Sequence, residues 1–143
     1  MSDVESSSHG GAVTGNLRTL LRVEGLLLFC AATALYQASG ASWWPFAILF
    51  LAPDLSFAAY LAGPRLGAVA YNALHATVAP LLLGLASMLL HWPPAGSVAL
   101  IWLAHIGIDR ALGYGLKYPA GFGFTHLGRI GPAARPSSPG PAA

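Results

Sequence analysis

Apolar positions along this chain gather into four long runs with few polar interruptions, at residues 17–39, 42–62, 66–90 and 95–116. Each is long enough to cross a hydrocarbon core about 30 Å thick, which takes about 20 helical residues. The runs are too long for strands and show no sustained period of two. Short breaks of turn residues separate them: Gly40, then Gly63-Pro64, then Pro93-Pro94. Short connections make neighbouring helices antiparallel. The pattern therefore predicts an all-α polytopic membrane protein, with an antiparallel four-helix transmembrane bundle over residues 17–116. Pro53 cannot donate to the carbonyl of Leu49, which predicts a kink in the second helix.

The flanking segments read differently. Residues 1–16 are polar, small and Gly/Ser-rich, and residues 131–143 are Pro-rich; both are expected to be disordered tails. The Gly- and aromatic-bearing stretch 117–130 is expected to lie at the membrane surface as an interfacial segment. The long acidic start lacks the short basic region of a secretory signal, although small residues around 38–42 imitate a cleavage site; the first run is read as a retained anchor.

Composition agrees with lipid as the main solvent. Of 143 residues 55% are hydrophobic and only 8% charged, against about 25% charged in a soluble domain. The bilayer is thus the principal partner, with a homo-oligomer or a membrane partner compatible with the same surface. No Lys/Arg-rich run or interleaved basic–aromatic patch points to nucleic acid. Cys30 is the single cysteine, which excludes disulfides within the chain and Cys-based zinc sites, and it reads as a small buried hydrophobe.

The few charges carry the orientation. Arg18, Arg22, Arg65, Arg110, Lys117, Arg129 and Arg135 all fall at the ends of runs that share a side with both termini, while the Gly40 and Pro93 breaks contain no Lys or Arg. The positive-inside rule makes that side cytoplasmic, in the inner (plasma) membrane. Trp43, Trp44 and Trp92 fall at run ends on the opposite side, where indole rings favour the headgroup zone.

Ionisable groups inside the runs are the candidate chemistry. At 1.5 Å per residue, His75 lies about 15 Å from Arg65 and Asp54 about 16 Å from the same break. His105 and Asp109 lie about 18 and 12 Å from Lys117, and Glu24 about 9 Å inside Arg18. His105 and Asp109, at i and i+4, share a helix face, as do Tyr71, Asn72 and His75 on the third helix. Gly67, Gly107 and Ala111 would let backbones approach closely. The polar edges are expected to face one another, with Asp54, His75, His105 and Asp109 converging on one site. Two readings remain open: a functional cluster, or a polar network that only fixes helix packing. Arg110 also reads as a snorkelling residue, Glu24 as a snorkelling group or a partner of Arg22, and His91 as interfacial.

The pieces LRVEGLLLF, SWWPFAILFLAPDLSFAAYLAGPRLGAVAYNALH and IWLAHIGIDRALGYGLKYPAGFGFTHLGRI resemble a bacterial membrane family, known as domain of unknown function 4260, over residues 17–130. The resemblance implies a small multi-pass membrane protein and supplies no activity, substrate or cofactor. Its motif positions coincide with Glu24, Asp54, Asn72, His75, His105, Asp109, Arg110, Lys117 and His126.

Two classes of function fit these residues. In the first, two His and two Asp from three helices bind a divalent transition metal such as Zn²⁺, Fe²⁺ or Mn²⁺, as a metalloprotein or an enzyme acting on a lipid ester or phosphoester. No HExxH or paired ExxH motif is present to sharpen it. In the second, the chain is a non-enzymatic structural or accessory membrane subunit, or a small carrier, whose His–Asp chain fixes packing or relays protons. Phosphate-loop, dinucleotide and Ser-His-Asp signatures are missing.

Overall fold

A computed structural model describes residues 12–131. Of the tails expected to be disordered, 1–16 and 131–143, residues 1–11 and 132–143 lie outside the described residues, whereas the Val13 amide donates to the His126 carbonyl at 2.9 Å and Gly15 and Asn16 begin the first helix. Helix α1 spans Gly15–Ala38, α2 Trp43–Leu49, a 3-10 helix Ala52–Ala62, α3 Pro64–His75, α4 Val78–Leu89 and α5 Pro93–Leu112; strands β1 (Phe124–Thr125) and β2 (Gly128–Arg129) form a short antiparallel hairpin. Four helical stretches are long and apolar enough to cross a membrane: Gly15–Ala38, Trp43–Ala62, Pro64–Leu89 and Pro93–Leu112. The chain is thus mainly helical and four-spanning, as the hydrophobic pattern implies.

Two of the spans are not continuous α-helices. In the second, Pro53 removes the N–H that would bond Leu49, the α-helix ends at Leu49, and the Asp54 amide bonds the Leu51 carbonyl in the tighter i→i−3 pattern. The expected kink is therefore a change of helix type sustained for eleven residues. The third span, expected as one helix, breaks at Ala76, whose ψ of 141° is extended. The reason lies four residues on: a Pro80 ring would clash with the Ala76 carbonyl in a continuous helix. The break strands the Leu74 carbonyl, and Trp102 Nε1 donates to it at 2.6 Å.

The fourth span also ends earlier than its apolar run suggests. Gly113, at φ 97°, caps α5 in the left-handed conformation, and the chain turns back instead of continuing to 116. The segment beyond Gly113 folds against the bundle end, since Leu127, Thr125 and Lys117 are all buried. Asn72 on α3 anchors it: its Oδ1 accepts from the Lys117 amide at 2.7 Å and its Nδ2 donates to the Lys117 carbonyl at 2.8 Å. Both polar groups of one buried residue's backbone are thereby satisfied.

Helix α5 is the hub, packing on α1, α4 and α2, while α3 lies against the 3-10 helix. The α1–α5 seam is formed by backbone. A methyl group placed on Gly107 would sit 2.5 Å from the Phe29 amide nitrogen, and one on Gly25 would sit 2.6 Å from Arg110 Cβ. Gly107 and Gly67 thus act as the sequence suggests, with Gly67 facing the Tyr60 ring, whereas Gly25 is the partner it did not reveal. Cys30 is exposed on the outer face of α1, not buried, because α1 contacts the bundle along one stripe that includes Gly25, Ala32 and Tyr36. Trp43, Trp44 and Trp92 are exposed at the end opposite the hairpin.

Candidate metal centre

The two breaks set up the site. Asp54 follows Pro53 in the first turn of the 3-10 helix, and His75 is the last residue of α3, immediately before the extended Ala76. His105 and Asp109 come from one face of α5. The side chains meet: one ligand atom from each of Asp54, His75, His105 and Asp109 lies within 4.8 Å of the other three.

The separations are specific. His75 Nε2 is 3.1 Å from His105 Nε2, 3.5 Å from Asp54 Oδ1 and 3.5 Å from Asp109 Oδ2. His105 Nε2 is 3.5 Å from Asp54 Oδ1 and 3.6 Å from Asp109 Oδ2. Four donors arranged tetrahedrally about an ion at about 2.0–2.2 Å stand about 3.3–3.6 Å apart, a factor of about 1.63 on the bond length. Both imidazoles are buried; Asp109 is 17% exposed and Asp54 33%, so the carboxylate side is the open one.

Hydrogen bonding selects the form of the first imidazole. His75 Nδ1 is 2.9 Å from the Tyr71 carbonyl, which can only accept, so Nδ1 carries the proton and Nε2 of a neutral ring presents its lone pair to the cluster. That orientation by a second hydrogen bond is the usual support for a metal-ligating histidine. His105 Nδ1 has no hydrogen-bond partner among the described residues, so its tautomer is set by whatever Nε2 meets.

Aromatic rings hold the cluster in place. The Tyr71 ring stacks on His75 at 3.7 Å, with an interplanar angle of 11°, and its hydroxyl donates to Asp109 Oδ2 at 3.4 Å. Phe50 packs edge-on against His105. Phe57 covers Tyr71 at 5.3 Å; it stands on the Asp54 face because a 3-10 helix brings i and i+3 into line. The Lys117 ammonium lies 3.7 Å from the Phe122 ring centroid and 4.7 Å from that of Tyr71, and donates to the Phe122 carbonyl at 3.0 Å. Burial lowers its pKa, and the charge of Asp109 opposes that shift.

The ten candidate residues fall into two groups. Asp54, His75, His105 and Asp109 form the centre, Tyr71 touches it, and Asn72 and Lys117 tie the returning segment beside it. Glu24, Arg110 and His126 line a separate pocket on the α1–α5 seam. Glu24, Arg110 and His126, grouped by depth and motif with the other polar residues, thus stand apart from the Asp54, His75, His105 and Asp109 centre. Arg110 stands about 100° round α5 from Asp109, so these neighbours serve different faces, and Glu24 faces Arg110. Arg22 does not pair with Glu24; its Nε donates to the Ala111 carbonyl at 2.8 Å. Burial and the Arg110 charge hold His126 below the usual imidazole pKa.

Sequence reasoning missed Phe50, Phe57, Phe122 and Trp102. Phe57 alone had a readable signal, its spacing of three from Asp54, and only once the 3-10 geometry is known. No curated protein and no solved structure matches the chain. The family model described as Domain of unknown function (DUF4260) matches residues 18–130, most of the chain including both polar groups, and the chain belongs to that family.

Proposed function

We propose that the protein is an integral membrane metalloprotein that holds a divalent transition metal on His75 Nε2, His105 Nε2, Asp54 and Asp109. The observation that carries this reading is the convergence of one ligand atom from each of the four residues within 4.8 Å of one another, with five of the six separations at 3.1–3.6 Å. Two imidazoles and two carboxylates suit Zn²⁺ foremost, then Fe²⁺ or Mn²⁺. A cation would also compensate two carboxylates in a membrane span. With four protein donors the set is that of a closed site, whose role is to bind the second, third and fourth spans together where two of them are broken.

Metal content tests it directly. Protein expressed with added zinc and purified in detergent without chelator should carry about one ion per chain. His105→Ala and His75→Ala should lose most of it, while Arg129→Ala should keep it. Wild-type protein that stays metal-free after zinc addition and still folds overturns the proposal. That outcome favours a second reading, a proton relay or packing network, which the 3.1 Å His75–His105 separation supports as an N–H···N hydrogen bond.

The membrane orientation belongs to the same proposal. Arg18, Arg22, Arg65, Arg110, Lys117 and Arg129 lie towards the end of the bundle where the described chain starts and finishes, which the positive-inside rule makes cytoplasmic in the plasma membrane. In a Cys30→Ala background, Ser39→Cys should react with an impermeant thiol reagent from outside, and Ala120→Cys only after permeabilisation. The reverse labelling pattern would overturn the orientation.

A further inference from the structure

The second group of polar residues stands apart from the metal ligands. Glu24, Arg110 and His126 line a cavity of about 170 Å³, walled by Leu21, Leu28 and Leu127. A dry cavity of about 150 Å³ already takes a benzene-sized molecule, so there is room for a small polar headgroup. Opposite charges face each other across it, yet no ion pair or hydrogen bond joins Glu24 to Arg110 among the described residues. His126 Nδ1 accepts from the Leu116 amide at 2.8 Å, so the proton of its neutral ring is on Nε2 and remains available as a donor. The pocket therefore offers a guanidinium and an imidazole N–H against one carboxylate, on a membrane-crossing helix whose neighbouring Leu20 and Leu27 are exposed.

We infer that this pocket binds the headgroup of a glycerophospholipid bearing a primary ammonium, with its phosphate on Arg110 and the His126 Nε2–H and its ammonium on Glu24. A single anion would meet repulsion from Glu24, and a single cation would meet Arg110; a zwitterion satisfies both. Arg fits a phosphate with paired donors, and a primary ammonium has three N–H donors for the carboxylate that a quaternary ammonium lacks. The leucine walls and the placement on a membrane-spanning helix favour a lipid over a soluble phosphate ester. The inference is independent of the metal reading, because none of the four metal ligands lines the pocket.

Delipidated protein in detergent, mixed with equal amounts of phosphatidylethanolamine and phosphatidylcholine and read by native mass spectrometry, tests it. Wild type should retain the ethanolamine lipid about tenfold over the choline lipid, the scale of one charge-assisted hydrogen bond. Glu24→Gln should abolish the preference, and Arg110→Gln should reduce retention of both lipids. If Arg110→Gln does not fold, His126→Phe serves for the phosphate side. Equal retention by wild type, or an unchanged preference in Glu24→Gln, overturns the inference. Displacement of the lipid by soluble phosphoethanolamine at comparable concentration overturns the lipid assignment in favour of a soluble ester.

Discussion

Gly107→Leu is expected to yield no folded protein in detergent, whereas Gly84→Ala should melt within a few degrees of wild type. At Gly107 even the first added carbon would lie 2.5 Å from the Phe29 amide nitrogen, 2.8 Å from the Gly25 carbonyl oxygen and 2.9 Å from Phe29 Cα. These are backbone atoms and cannot rotate aside. In a soluble core, overpacking costs about 1–3 kcal/mol and is relieved by side-chain shifts; here relief requires α1 to move off α5. Without a hydrophobic driving force between helices in lipid, such close packing is what holds them together. At Gly84 the added carbon meets only Ala99 Cβ at 3.6 Å, an ordinary contact. Size-exclusion elution and thermal melting of the two variants provide the comparison. A Gly107→Leu variant with a wild-type melt would show that the α1–α5 seam is wrong.

The second large effect concerns Asp54. Asp54→Leu should destabilise by about 1–3 kcal/mol, the range for leaving buried hydrogen-bonding groups without a partner, and the lower end is expected because Asp54 is one-third exposed. His75 and His105 would each lose a carboxylate 3.5 Å away. Arg129→Ala is the reference: its guanidinium is exposed and lies 5.3 Å from the Phe124 ring centroid, a contact worth about 0.5–1 kcal/mol at such sites. The metal reading adds a second signature. A strong chelator should lower the wild-type melting temperature towards that of Asp54→Leu and leave the variant nearly unchanged, since binding to the folded state alone stabilises it. Equal melting of Asp54→Leu and Arg129→Ala would refute a buried network, and a chelator-insensitive wild type would refute the metal.

The meeting of Asp54, His75, His105 and Asp109 could be read from the sequence because hydrocarbon penalises each of them and short loops leave few directions in which to hide. Rotation about the helix axes could not. It is fixed by contacts that spacing does not encode, such as the Gly25–Gly107 crossing and the Tyr71 ring on His75. A ruler of 1.5 Å per residue assumes straight α-helices, so it passed over the break at Ala76, although Pro80 supplied the signal. It also carried α5 past Gly113, placing Lys117 at a helix end when it folds back beside Asn72. Glu24 was at a plausible depth and on the wrong seam, which depth alone could not distinguish.

The 3-10 helix bears on how the chain matches its bilayer. At about 2.0 Å per residue, its eleven residues reach about 22 Å, where an α-helix of the same length would reach about 16 Å. With the seven residues of α2, the second span attains about 32 Å along its axis, enough for the roughly 30 Å core. The third span has 26 residues and would overshoot as a straight rod at about 39 Å; the bend at Ala76 shortens its projection. Span length is thus adjusted inside individual spans, by stretching one and folding another, a route to matching a bilayer that adds to tilting. The stretched span and the folded span carry Asp54 and His75, so a thicker or thinner membrane pulls first on the elements that hold these two groups together.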